Sequence, residues 1–296
     1  MFFFLYFYNL HEILIDDESQ TVLTTRVIYT DNIFQNFMIL SAKGYRFFLT
    51  NEFLYVLEYE DLSEKKFSLK ICPNFYKDYK LSSVELPIQR IKDHSFTILD
   101  SSESTIFINV NHYGDDAKFG NVYVSNFEGK KFVLSLLHNV RDDKGFCDFD
   151  RAKSLEGVFI ANHYEHVEAE KYKTNYNYIS NTNERNQRHE TIDSYKKSVI
   201  TYDKGSYWYP IPAPEYDFDG KKLDCHGECS LHLRGFTDKY SNPLYSSESA
   251  VGILMGVGNT GIFLSQQPEE VNTYLSRDGG HSWFQVKILF VLSAKN

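Results

Sequence analysis

Two segments 75 residues apart obey one rule. Thr201-Tyr202-Asp203-Lys204-Gly205-Ser206-Tyr207-Trp208 and Ser276-Arg277-Asp278-Gly279-Gly280-His281-Ser282-Trp283 each set a small hydroxyl, a carboxylate, a glycine and a tryptophan at the same offsets, and together they use both tryptophans of the chain. The chemistry is that of a closed hairpin turn. Ser or Thr and Asp can accept N–H groups of their own loop, and glycine tolerates the positive φ of a tight turn. The tryptophan then re-enters the fold as an apolar anchor that needs burial. Each copy follows a β-type run, Ser198-Val199-Ile200 or Asn272-Thr273-Tyr274-Leu275. Self-similarity at so long a period is the signature of a repeat architecture, in which stacked units bury a common core.

Eroded copies lie upstream. Ser125-Asn126-Phe127-Glu128-Gly129-Lys130-Lys131-Phe132 keeps the serine, the glycine and a closing aromatic, 76 residues before the Thr201 copy. Thr30, Asn32 and Phe37 stand at the same offsets, and Phe67 closes the polar stretch from Tyr59 to Lys66. Composition points to strands as well. With 8 Ala against 24 Phe and 22 Tyr, the best helix former is scarce and residues suited to a pleated, half-buried surface abound.

The segment from Asp224 to Val286 carries Cys229-Ser230-Leu231-His232-Leu233, then Ser249-Ala250-Val251-Gly252-Ile253, then Gly256-Val257-Gly258-Asn259, then Tyr274-Leu275 leading into the Ser276 box. In that order it resembles the propeller of the sortilin-type sorting receptors, among them animal sortilin and the fungal receptor that sorts carboxypeptidase Y to the vacuole. The box is similar to their Asp-box. Ser154–Asn162 and Gly120–Ser125 look like preceding blades, so the resemblance runs roughly from 30 to 286, strongest after Leu155. It implies an all-β fold of antiparallel four-stranded β-propeller blades, about half of a ten-bladed ring, with about five blades set radially as an open arc. Residues 1–29 are then an N-terminal segment that can belong to a blade, 30–286 the partial propeller, and 287–296 a divergent tail.

The resemblance also implies roles. Ser276, Asp278, Gly280 and Trp283, with Thr201, Asp203, Gly205 and Trp208, become structural box residues whose carboxylates hold backbone N–H groups and whose tryptophans are buried in their own blades. Cys225 and Cys229 become a disulfide, which requires an oxidising lumen. The implied function is the luminal cargo-binding portion of a receptor for soluble vacuolar or lysosomal hydrolases, working between late Golgi and endosome or vacuole and releasing cargo on acidification. The implied partners are hydrolase precursors or extended peptide segments, with no cofactor and no metal. Family members reach the membrane through a transmembrane segment that this chain does not carry, so the sequence is expected to be a fragment or truncated product.

The formal net charge of −9 argues against a nucleic-acid surface, which needs a basic stripe. Residues 1–15, MFFFLYFYNLHEILI, have no positive charge ahead of the apolar run and no small-residue cleavage site after it, so a buried or edge strand is expected there rather than a leader. No run reaches the roughly 18 apolar residues of a membrane helix, and no Asn-x-Ser/Thr sequon occurs.

Other constellations are weaker. Gly256–Gly261 matches a dinucleotide fingerprint, but Ile262-Phe263-Leu264 after it offers no helix to meet a pyrophosphate, so close strand packing or a bulge is expected. Cys225, His226, Cys229 and His232 crowd four zinc-type ligands into eight residues, too close for an unstrained tetrahedron. Cys72 and Cys147 can be buried thiols, a long-range pair or partners of residues outside this chain. His163 and His166 are expected in solvent, His232 in a core, and Asp142, Asp143, Asp148 and Asp150 in a solvated loop, since their spacing breaks the calcium-loop rule. Glu165–Lys197, polar and aperiodic, is expected to be an inserted loop, and Tyr209–Gly220, with three prolines, a connector rather than a strand. The alternatives to a receptor are a non-functional fragment and a sialidase-like Asp-box glycosidase, which needs an arginine cluster and a Tyr–Glu pair. Arg26, Arg46, Arg90, Arg141, Arg151 and Arg234 are its candidates, and no nucleophile and base stand beside them in the sequence.

Overall fold

The computed structural model describes residues 26–29, 38–50, 53–61, 66–72, 79–88, 91, 95–101, 104–114, 117–165, 195–223, 229–238 and 244–287. Strands make up the fold, and the single described helical element is a 3-10 turn at Pro268–Glu270. The chain forms two compact units. Unit 1 comprises Met1–Val110 and Tyr123–Val133, and unit 2 comprises Asn111–Val122 and Leu134–Asn296.

In unit 1, β1 (Val27–Tyr29) pairs with β2 (Met38–Ser41). A second sheet runs β3 (Gly44–Leu49), β4 (Leu54–Asp61), β5 (Lys66–Cys72) and β6 (Ser82–Ser83), with antiparallel neighbours throughout. β4 begins Leu-Tyr-Val-Leu, apolar on both faces, so alternate side chains feed separate cores. Tyr55 and Leu57 join Phe67, Leu69 and Ile71, while Leu54 and Val56 join Val27 and Cys72. Phe67 lies opposite Tyr59 and packs against its ring, 4.9 Å between centroids, so the closing aromatic does anchor that hairpin. The hairpin β7 (Phe96–Asp100) and β8 (Phe107–Val110) completes the described strands of this unit before the tip at 123–133.

That tip joins β9 (Phe119–Ser125) to β10 (Phe132–Val140). Unit 2 continues as two antiparallel blades. In the first, β11 (Phe149–Arg151), β12 (Phe159–Tyr164), β13 (Lys196–Thr201) and β14 (Tyr209–Pro212) pair in chain order, and β12 also meets the end of β10 at Asn139. In the second, β15 (Ser230–Leu233) and the short β16 (Tyr245–Ser246) share one side of β17 (Leu254–Gly261), followed by β18 (Asn272–Ser276) and β19 (Phe284–Val286). A shared core of Val158, Ile160, Ile200, Leu231, Tyr274 and Trp283, among others, fills the space between these strands.

Three sequence expectations change. Tyr209–Pro212 is a strand, because its prolines face only two register pairs on each side and Ile211, fully buried, supplies the inward contact. Lys196 and Lys197 open β13 instead of closing a loop, since Lys196 finds a buried carboxylate partner. His163 is a strand residue of β12, half-buried opposite Asn139 and Lys197, not a solvent group. The Gly256–Gly261 stretch does lie in a strand, and Gly258 is where backbones nearly touch: a Cβ there would run into the carbonyl of His232 on β15. Gly258→Ala should therefore lower the chain's stability by about 1–3 kcal/mol or more, the range for overpacking, read as a fall in the denaturant midpoint.

Candidate functional site

The two boxes close the hairpins between β13 and β14 and between β18 and β19, and their hydrogen bonds repeat atom for atom. Thr201 Oγ1 donates to Asp203 Oδ1 at 2.8 Å and accepts Gly205 N–H at 3.0 Å; Ser276 Oγ donates to Asp278 Oδ1 at 2.9 Å and accepts Gly280 N–H at 2.8 Å. The carboxylates then reach forward: Asp203 accepts the N–H of Tyr207 at 3.0 Å and Asp278 that of Ser282 at 2.9 Å. Gly205 and Gly280 hold φ of 80° and 96°, open to glycine at little cost. Although burial pulls the other way, the hydroxyl and N–H of Ser282 hold the Asp278 carboxyl below the usual carboxylate range. Each turn is also tied to the preceding loop, Lys204 N–H to the Gly157 carbonyl at 3.1 Å and Gly279 N–H to the Gly252 carbonyl at 2.9 Å.

The tryptophans differ. Trp283 is 3% exposed in the shared core and donates Nε1–H to the Gly280 carbonyl at 3.0 Å. Trp208, expected to be buried, is half-buried: it leans edge-on against Phe149 and donates to Ser135 Oγ of β10, 3.0 Å away. Tyr209 and Pro210 beside it turn outward, so no core encloses its ring. The boxes touch each other through Tyr202 and His281, stacked at 4.3 Å with ring planes 3° apart. In the eroded copy, Phe127 occupies the aspartate position and points into solvent, and Asn126, one residue earlier, accepts the N–H groups of Lys130 and Lys131. Sequence spacing alone missed that shift. Thr30, Asn32 and Phe37 lie outside the described residues.

Between the two blades of unit 2 sits a buried polar joint that the sequence did not announce. Asn162 of β12 donates Nδ2 to the Leu233 carbonyl at 3.0 Å and to Asp148 Oδ2 at 3.1 Å, and its Oδ1 accepts Ser198 Oγ at 2.6 Å. Ser198 Oγ in turn accepts Leu233 N–H at 2.8 Å. His232 is buried, Nδ1 accepting Ser198 N–H at 3.1 Å and Nε2 lying 3.1 Å from the Gly261 carbonyl, so both ring nitrogens are engaged by neighbouring strands. Burial lowers His232 and His163 to about 4. Asp148 and Asp150, expected in a solvated loop, instead stand just before β11 and within it; burial raises both, Asp150 to about 7 with Asp148's charge as a second cause. Asp142 and Asp143 do lie in a loop: Asp142 accepts N–H groups of Lys144 and Phe146, and Asp143 is exposed in the turn beside it.

Cys229 is disulfide-bonded, whereas Cys72 and Cys147 are buried thiols. Cys225, His226, His166 and Arg90 lie outside the described residues. Of the other candidate arginines, Arg26 and Arg46 belong to unit 1, and Arg141, Arg151 and Arg234 sit at three different strand ends of unit 2, with Arg234 Nη2 donating to the Ser265 carbonyl at 3.3 Å. Among the described residues no group of three or more His, Cys, Asp or Glu is placed to hold a metal, and no described helix is long and apolar enough to cross a membrane.

The sortilin–Vps10 family model, described as sortilin, neurotensin receptor 3, matches residues 10–288. The vacuolar protein sorting/targeting protein 10 of Trichophyton verrucosum is 36% identical over 203 residues, covering 66% of this chain and 12% of that protein. Its namesake in Aspergillus fumigatus is 34% identical over 215 residues, 70% of this chain and 13% of that protein. The chain thus spans about an eighth of the length of these relatives. Among solved structures, a GH74 xyloglucanase from Xanthomonas campestris superposes with a TM-score of 0.34 at 10% identity, over 89% of this chain and 43% of that one. YCF48 bound to D1 peptide gives 0.24 at 13% identity, over 88% and 75%.

Trp283→Ala should cost about 3–5 kcal/mol on denaturant titration, the range for a deleted core aromatic, and Trp208→Ala less than half as much. A second expectation concerns pH. Folded His163 and His232 refuse protons that the unfolded imidazoles accept near 6.5, so the stability they contribute is whole above that pH and drains as pH falls toward 4. His163→Gln should flatten that acid limb in a midpoint-against-pH series.

Proposed function

The chain belongs to the sortilin–Vps10 family, and on that premise we propose that it is a luminal cargo-binding portion of a receptor for soluble vacuolar or lysosomal hydrolases. Cargo is taken up at near-neutral pH in the late Golgi and released on acidification in an endosome or vacuole. The observation that carries this reading is the family match across residues 10–288, joined to relatives named for vacuolar protein sorting and targeting. The antiparallel blades support it, because exposed strand edges of such sheets can accept an extended peptide as an added strand. The disulfide at Cys229 supports an oxidising compartment.

Within this reading the boxes are structural. Thr201, Asp203, Gly205 and Trp208, with Ser276, Asp278, Gly280 and Trp283, spend their donors and acceptors within turns and neighbouring strands, leaving no nucleophile poised beside a base. Residues 30–286 are the partial propeller, with 1–29 and 287–296 flanking it, and membrane attachment belongs to parts of the relatives beyond this stretch. Cys225 is the partner of Cys229 in the reading, so alkylation without reductant should leave both unmodified in protein secreted from a eukaryotic host. Recovery of the two in alkylated form would count against the pair.

Binding of hydrolase precursors to the chain, alone and within a full-length relative's propeller, should be measured at neutral and acidic pH beside a sialoside hydrolysis assay. Binding at neutral pH that weakens on acidification is the expected outcome. Turnover of the sialoside would replace the receptor reading with a glycosidase.

A further inference from the structure

Two aspartates at β11 hold both flanks of the segment that leaves β15. Asp148 Oδ1 accepts the N–H of Thr237 at 2.7 Å, and Asp150, two residues on, accepts the N–H of Leu244. Both carboxylates line one cleft with Asn162, Leu233, Arg234 and Gly235. The approach at the first flank is close enough that a Cβ on Gly235 would collide with the Asp148 carboxylate. That flank also closes on itself, Gly235 N–H donating to Asp238 Oδ2 at 3.2 Å, and Asp238 Oδ1 lies 3.2 Å from Lys196 Nζ with both side chains 6% exposed.

The charges do not balance evenly across this joint. Asp148 and Asp150 come from β11 and its approach, and Asp238 from the outgoing segment; Lys196 of β13 faces Asp148 and Asp238, Lys153 faces Asp150, and Arg234 turns to the Ser265 carbonyl. Asp148 and Asp238 share the buried lysine. Asp150 is left with a like charge nearby, a lysine on an exposed residue and one backbone donor. A second, half-buried carboxylate lining the same cleft as Asp148 is costly to keep ionised.

We propose that the joint between β11 and the flanks of residues 234–244 is a proton-regulated clasp, held more firmly when Asp150 is protonated than when it is charged. Protonation removes the repulsion between Asp150 and Asp148 while a carboxyl oxygen still accepts Leu244 N–H, and Asp148 keeps Lys196, Thr237 and Asn162. The raised Asp150 carboxyl, about 7 in the folded chain against 3.8 ordinarily, agrees in sign. Its contribution to holding the joint is complete below the lower value and is lost as pH rises through the higher one. The joint therefore tightens on acidification. The clasp goes beyond the receptor reading and stands whatever the chain binds.

Hydrogen exchange on the full chain, corrected for the intrinsic pH dependence of amide exchange, tests it at Gly235, Thr237 and Leu244 between pH 8 and pH 5.5. In the unmodified chain, protection at these amides should rise several-fold toward pH 5.5. Asp150→Asn should show the acid-level protection already at pH 8 and little change below it, while an exposed control, Asp143→Asn, should track the unmodified chain. Lys153→Gln gives a second handle should the Asn variant fold poorly: removing the cation that faces Asp150 should move the midpoint of the protection profile to higher pH. A flat profile in the unmodified chain, a pH response that survives in Asp150→Asn, or an unmoved midpoint in Lys153→Gln would each overturn the clasp.

Discussion

The arrangement of unit 2 depends on satisfying polar groups that adjoining blades bury together. When strands of one blade meet those of the next, backbone groups at the seam lose water, and each one left without a partner costs roughly 1–3 kcal/mol. Asn162 and Ser198 supply those partners: between them they bond the amide and carbonyl of Leu233, and Asn139 adds bonds to the carbonyls of Asp148 and Asn162. The seam is thus keyed by geometry as well as by apolar contact. A slipped register would bury the same groups unpaired, so the network selects one alignment of the two blades where greasy packing alone would accept several.

The boxes solve a different problem. They fasten one hairpin of each blade with bonds that are almost all local, and they reach the neighbour only through a few contacts such as the Tyr202–His281 stack and the seat of Gly280 against Ile200. This division explains why one part of the structure was legible in the sequence and the other was not. A local motif must write its whole hydrogen-bond scheme into eight consecutive residues, and Ser276, Asp278, Gly280 and Trp283 can be assigned roles from their offsets. The seam draws Asp148, Asn162, Ser198, Leu233 and Thr237 from five places in the chain, and no spacing rule connects them. Asp148 and Asp150 therefore looked like loop acids.

Other departures have similar physical causes. Trp208 obeys the same offsets as Trp283, yet burial is decided by what lies across from the ring, and there the partner is Ser135 with its hydroxyl instead of an aliphatic core. Proline content argued against a strand at Tyr209–Pro212, but a pairing only two residues deep on each side asks little of the missing N–H groups, and Ile211 has a fully buried place to fill. Of the two readings open for the Gly256–Gly261 stretch, close strand packing holds at Gly258, because close backbone approach excludes every other side chain and leaves a mark a single sequence can show.

The two-faced strand β4 has its own consequence. Because Leu54 and Val56 point into one apolar cluster while Tyr55 and Leu57 point into another, a single backbone ribbon is the partition wall between two cores. Such a wall cannot shift to relieve crowding on one side without opening a void on the other. Variation in unit 1 is thereby steered away from this strand and toward its rims, where a new side chain disturbs one neighbour and not two.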